Sequence, residues 1–292
     1  MEILSDFFVL ITNLWEVFTG LIDAYDIDFL RTGIILLAGL WAGTINAIVG
    51  SGTLVSFPVL VALGYAPVVA TISNAMGQIA GHATAAYGYR RELKGLGRTL
   101  AKLLPASVLG GITGAALLLN LPDYVFAIVA PILIVVSLGF VVFQPKLQRW
   151  VRRRAERKAA ASPSEPSTGK HPFALILLIY FAGVYGGYFV AAQGILVVGI
   201  LGIFLAGTMQ NANAMKNVLV LSVNMIAAVS YMIFAFERID WVVVLLIAVS
   251  SMIGGYTGAK VGRRLSPVLL RSVIVVLGLV ALGVMIANLI NG

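Results

Sequence analysis

The sequence predicts an all-α polytopic membrane protein of two five-segment repeats in inverted orientation, each with a short broken or re-entrant second helix. Three observations predict it. Hydrophobic residues make up 60% of the 292 and charged residues only 11%, far below the roughly 25% charged of a soluble domain, and mean hydropathy is +1.00. The phrase Gly110-Gly111-Ile112-Thr113-Gly114-Ala115 returns 144 residues later as Gly254-Gly255-Tyr256-Thr257-Gly258-Ala259. Finally, three stretches, 90–102, 144–171 and 260–271, hold 17 of the 20 Lys and Arg, as expected of loops on one side of a membrane.

The first repeat, 30–145, carries apolar runs near 30–49, 53–63, 66–88, 100–119 and 123–143. The second, 172–292, carries them near 172–191, 195–207, 211–236, 241–262 and 268–290. Crossing ~30 Å of hydrocarbon takes about 20 helical residues. The second run of each half is too short for that, so roughly 8 to 10 membrane segments are expected. The offset of 144 also aligns Ala38-Gly39 with Ala182-Gly183, Gly43 with Gly187, Gly50 with Gly194 and Gly139 with Gly283.

An odd number of crossings per half makes the halves inverted, and the charges favour that count. Five crossings each put 90–102, 144–171 and 260–271 together on the cytoplasmic side, while Arg31, Arg238, Asp123, Glu237 and Asp240 fall opposite. The halves are joined by 146–171, whose basic run and Ser/Pro-rich end read as a flexible cytoplasmic linker. Residues 1–29 form an N-terminal interfacial or membrane segment. Its apolar stretch Phe7 to Ile22 follows Glu2 and Asp6 rather than Lys or Arg, which does not fit a cleavable signal peptide.

Several classes of function are set aside. The chain has no cysteine, so thiolate chemistry is out. The net charge of +8 sits in loops without interleaved aromatics, which argues against nucleic acid. His171 lies in a loop and no acid stands at ligand spacing to His82, so no metal or other cofactor is expected.

Polar side chains inside spans are costly and mark function by default, and here they cluster. Asn74, Gln78 and His82 stand at i, i+4 and i+8, on one helical face. The equivalent helix of the second half carries Asn213, Lys216, Asn217 and Asn224. Any one Asn reads equally as packing glue, worth about 0.6 kcal/mol, or as part of a site; the group together favours a site. His82 is either a proton-coupling residue or a structural hydrogen bonder.

Before each short segment the chain breaks, at Asn46-Ala-Ile-Val-Gly50-Ser51-Gly52-Thr53 and at Ala191-Ala192-Gln193-Gly194. A helix that starts inside the bilayer presents about half a positive charge at its N-terminus. Two such ends with Lys216 nearby would hold a small oxyanion. The expected substrate-binding set is therefore Asn46, Gly50, Ser51, Gly52, Asn74, Gln78, Gln193, Gly194, Lys216, Asn217 and Asn224. The GxxxG pairs Gly110/Gly114 and Gly254/Gly258 are assigned to helix packing.

From about residue 30 to 290 the chain resembles the sulfite exporter TauE/SafE family, also described as the toluene sulfonate uptake permease family. The resemblance is carried by Asn46 to Pro58 with Ala70 to His82, and by Gly186-Gly187 to Gly194 with Ala214-Met-Lys-Asn217 and Asn224. The chain departs from it in the glycine-poor Val-Ala-Ala-Gln-Gly and in Ser51. The resemblance implies a multi-pass carrier of the bacterial-type inner membrane for sulfite, sulfonate or sulfoacetate-type anions. Alternating access is the expected mechanism, with H⁺ or Na⁺ as possible coupling ions and room for a homodimer. The alternatives are a non-transporting membrane scaffold and, further off, an intramembrane enzyme.

Overall fold

A computed structural model describes residues 28–161, 172–204, 208–261 and 267–291. The described residues form ten α-helices, one short 3₁₀ turn and no strand: α1 Phe29–Ile48, α2 Thr53–Ala62, α3 Pro67–Gly88, α4 Gly97–Asn120, α5 Asp123–Ala161, α6 Pro172–Tyr188, α7 Gln193–Phe204, α8 Met209–Phe234, α9 Trp241–Val261 and α10 Pro267–Asn291. The chain divides into two compact units, Met1–Ile34 and Ile35–Gly292. Of the first, only the start of α1 is described, where Asp28 Oδ1 accepts the Leu30 N–H at 2.8 Å as an N-cap does. The stretch Phe7 to Ile22 lies outside the described residues. All that follows concerns the second unit.

Among the described residues six helices are long and apolar enough to cross a membrane: α1, α4, α5 over Asp123–Lys146, α8, α9 and α10 over Leu270–Ala287. The protein is a multi-pass membrane protein. α3 is 22 residues long but carries Asn74, Gln78 and His82 along its buried face. The short helices α2 and α7, of 10 and 12 residues, are apolar nearly all round. Such helices belong inside a bundle, and Leu54, Phe57, Leu60, Val197 and Leu201 are indeed buried.

One boundary departs from expectation. α5 runs on to Ala161 for a total of 39 residues, so 146–161, expected in a flexible linker, is helical. The segment is dominated by Arg, Ala, Lys and Glu, all strong helix formers, and its charges that read as a loop do not oppose a helix in water. The rest of that linker, 162–171, lies outside the described residues.

The GxxxG glycines let helices meet backbone to backbone. A Cβ on Gly110 would lie 2.2 Å from the Tyr180 carbonyl oxygen, and one on Gly114 2.2 Å from that of Val184, which ties α4 to α6. A Cβ on Gly254 would lie 2.1 Å from the Leu40 carbonyl oxygen, tying α9 to α1. Gly254 follows Gly110 by 144 residues and Val184 follows Leu40 by the same 144, so the α4–α6 and α9–α1 contacts join matching stretches of sequence, one helical turn out of exact register.

Two hydrogen bonds fix the directions of α3 and α8. Near the start of α3 the Ser73 hydroxyl accepts the Asp240 N–H at 2.9 Å, just beyond the end of α8. Past the other end of α3, Asn211 at the start of α8 donates its side-chain amide to the Glu92 carbonyl at 3.2 Å. α3 and α8 therefore run in opposite directions, as expected if they are counterparts in inverted repeats. Arg238 and Asp123, both expected opposite the basic loops, form an ion pair at 2.8 Å.

Candidate functional site

α3 packs against α8, and its Asn74, Gln78 and His82 side chains are all buried. Gln78 is eleven residues from Pro67 and ten from Gly88, so it sits about 15 Å from either end of the helix. α8 brings Lys216, Asn217 and Asn224, each fully buried. Asn213, one turn earlier, is half-buried and donates to the Ile48 carbonyl at 3.2 Å.

The first break is built from the end of α1. Helix geometry stops at Ile48, Gly50 takes φ +88° and α2 begins at Thr53. The positive φ is open to glycine at little steric cost. A helix C-terminus leaves carbonyls without intrahelical partners, and here side chains from other helices reach them. Lys216 Nζ donates to the Asn46 carbonyl at 2.5 Å, Asn213 to Ile48, and Gln144 of α5 to Val49 at 3.2 Å. The Asn46 side chain accepts the Gly52 N–H at 2.6 Å and donates to Gln78 Oε1 at 3.2 Å; Gln78 in turn donates to Ser56 of α2 at 3.4 Å.

The second break is made differently. α6 ends at Tyr188 and α7 starts at Gln193, and between them Val190 and Ala192 hold φ of +66° and +60°. The left-handed region costs an L-residue roughly 1–2 kcal/mol, and a β-branched Val there is an outlier. Burial holds it: Phe189, Val190, Ala191 and Ala192 are all in the core, and Phe57 of α2 packs edge-on against Phe189 at 5.6 Å. Glycine was expected to permit this turn, but Gly194 serves a different purpose. A Cβ on Gly194 would lie 2.6 Å from Gly50 Cα, and one on Gly50 2.7 Å from the Gly194 carbonyl carbon. The two breaks press against each other.

The expected site residues thus fall on mutually packed elements, all of them buried. They separate into two groups. Asn46 and Gln78 have their polar atoms engaged within the protein. Ser51, Asn74, Gln193, Asn217 and Asn224 have buried side-chain polar atoms with no hydrogen-bond partner, as does His82 Nδ1. Leaving such a group unmatched costs about 1–3 kcal/mol, so each of these side chains needs a partner from outside the chain, a water or a ligand. Lys216 is the one fully buried charged side chain among the described residues, and it uses one of its three donors on Asn46.

Three further residues escaped the sequence reading of the site. Ser56 is fully buried and extends the Asn46–Gln78 chain into α2; a lone serine in a short apolar run was its only signal. Gln144 falls at the start of a stretch read as a loop. Tyr188, whose hydroxyl is buried and unpartnered at the end of α6, was masked by the aromatic run around it. Chemically the cluster offers amide donors and acceptors and one ammonium. Among the described residues no group of His, Cys, Asp or Glu is arranged to hold a metal ion.

A family model described as "Sulfite exporter TauE/SafE" matches residues 35–285. That span covers both breaks, α3, α8 and every residue of the cluster. No curated protein and no solved structure matches the chain.

Proposed function

Because the chain belongs to the sulfite exporter TauE/SafE family, a family of membrane transporters rather than enzymes, we propose that it moves small sulfur-containing anions of the sulfite, sulfonate or sulfoacetate type across the bacterial inner membrane. The observation that carries this is the set of unpartnered buried amides around Lys216, beside two touching helix breaks. An anion there would meet the positive ends of α2 and α7. It would also accept from Lys216, Asn217 and neighbouring amides that have nothing else to bond.

The buried side chains describe an occluded arrangement, since Ser51, Asn74, Lys216, Asn217 and Asn224 are all 0% exposed. Release to either side requires one half to move against the other, the alternating-access scheme of inverted repeats. The contact between Gly50 and Gly194 is the natural pivot, because it joins equivalent positions of the two halves at the level of the site. Basic segments 90–102, 144–171 and 260–271 would face the cytoplasm. Export of an anion then uses the inside-negative potential directly, at about 2.3 kcal/mol per charge per 100 mV. A coupled proton would need a titratable side chain within a span, and His82 is the one to test; Na⁺ is the other coupling ion to test.

Flux in proteoliposomes tests the reading. Vesicles loaded with sulfite or a monosulfonate should release it faster with the protein than without, and a potential negative on the loaded side should raise the rate. Lys216→Met should bring the rate to that of loaded vesicles without the protein. Release that ignores both the potential and the substitution would contradict the proposal.

A further inference from the structure

The unpartnered groups are not all alike, and their placement distinguishes ligands. α3 and α8 run antiparallel, so His82 of α3 and Lys216 of α8 lie toward the same end of the bundle, the end at which Asn211 meets Glu92. Asn74 precedes His82 by eight residues and Asn224 follows Lys216 by eight. At 1.5 Å per residue each asparagine therefore lies about 12 Å further along its own helix axis, away from that end. The cluster has two layers. One contains the charge of Lys216 with Asn217 and His82. The other contains the neutral amides of Asn74 and Asn224.

Each layer has a different chemical demand. Among the described residues Lys216 is the one fully buried charged side chain, so the first layer offers one positive charge to a ligand. In the second layer both the NH₂ and the carbonyl oxygen of Asn74 and of Asn224 are unpartnered. An oxyanion only accepts, so it satisfies the NH₂ groups and leaves the amide oxygens as they were. A doubly charged ligand would place its second charge where no cation answers it.

We propose, resting on the anion-carrier reading above, that the site is built for a two-ended monoanion: a sulfonate-type head at Lys216 and Asn217, and a hydrogen-bond donor such as a hydroxyl at Asn74 and Asn224. A short carbon chain joins the two, since the side chains themselves close much of the gap between layers. Sites built to hydrogen-bond a ligand's hydroxyl reject the analogue that lacks it far more sharply than apolar pockets discriminate size. The amide layer is thus a specificity element, separate from the charge that binds the head.

The experiment compares four probes on the purified full-length protein at matched ionic strength: ethanesulfonate, 2-hydroxyethanesulfonate, ethane-1,2-disulfonate and sulfite. The reading is the concentration needed for half-maximal thermal stabilisation. 2-Hydroxyethanesulfonate should act at a concentration roughly tenfold or more below ethanesulfonate, equivalent to one unsatisfied hydrogen-bonding group, and the disulfonate should be weakest. Asn224→Leu, and independently Asn74→Leu, should bring the hydroxylated probe to the level of ethanesulfonate. A cooperative thermal transition and helical circular dichroism in the absence of any probe report that the variants are folded. Equal action of the two monosulfonates, or tighter action of the disulfonate, overturns the inference and leaves the anion site standing. So does a Na⁺ requirement that Asn224→Leu abolishes, which would assign the amide layer to a cation. Stabilisation by sulfite alone has the same meaning, whereas no response to any probe overturns the anion site as well.

Discussion

Gly50 and Gly194 meet with so little space that neither tolerates a Cβ: the ideal positions fall 2.7 Å and 2.6 Å from the other residue's backbone. They are 144 residues apart, the offset that relates the halves. A residue that touches its own equivalent lies on the axis relating the two. Under the proposed inverted repeat that axis would lie in the membrane plane, and the helix breaks and the neighbouring polar cluster would sit near mid-bilayer.

Alanine at these glycines separates contact from conformation. Gly64 shares the φ of +88° with Gly50 but has nothing within 4 Å of its Cβ position. Gly64→Ala should cost about 1–2 kcal/mol, the left-handed penalty alone, and leave transport intact. Gly50→Ala should add the overpacking cost of roughly 1–3 kcal/mol and abolish transport. Gly194→Ala should show the second cost without the first. Thermal unfolding of the three variants measures the differences.

The unpartnered amides predict a trade of function against stability. Asn74→Leu and Asn224→Leu remove groups that are already unmatched, so without ligand these variants should unfold at the wild-type temperature or above. Gln78→Leu breaks two side-chain bonds and strands Asn46 Nδ2, so it should cost roughly 1–3 kcal/mol. A drop in stability for the asparagine variants as large as that for Gln78→Leu would show that they already have partners.

The second break stores backbone strain that glycine relieves. Ala192→Gly removes one methyl and frees a φ of +60°, so it should stabilise the protein by about 1 kcal/mol in thermal unfolding. Val190→Gly is a poorer test, because the lost buried side chain offsets the relief. If Ala192→Gly destabilises, the left-handed turn is not a source of strain.

His82 carries an unpartnered Nδ1 and faces the charge of Lys216. If it carries the coupled proton, His82→Gln should retain anion exchange in vesicles at equal pH and lose the response to an imposed pH gradient. A gradient response equal to wild type would return His82 to a structural hydrogen-bonding role.

Much of this architecture was legible because apolar runs and small-residue register survive in one dimension. The ends of α2, α3 and α9 fall within a residue or so of the runs that announce them. α5 was cut short because charge density in 146–161 reads as a loop, although the same residues have high helix propensity. Burial of every candidate site residue followed from the cost of polar groups in lipid. Hydrogen-bond bookkeeping did not: nothing in the order of residues separates Asn46, held by Gly52 and Gln78, from Asn74, held by nothing. The turn at Val190 and Ala192 was equally hidden, because the strain is sustained by packing from distant segments such as Phe57.

The central claim is that a sulfur anion binds at Lys216 and Asn217, and thermal stabilisation tests it most directly. Wild-type protein, Lys216→Ala and Asn217→Ala would each be heated with sulfite, sulfate, thiosulfate, sulfonates, sulfoacetate and carboxylates. The account predicts that at least one sulfur anion raises the wild-type unfolding temperature, and that both variants fold yet lose the effect. Variants that respond like wild type, or a wild-type protein indifferent to every anion, would contradict it and return the polar cluster to helix packing.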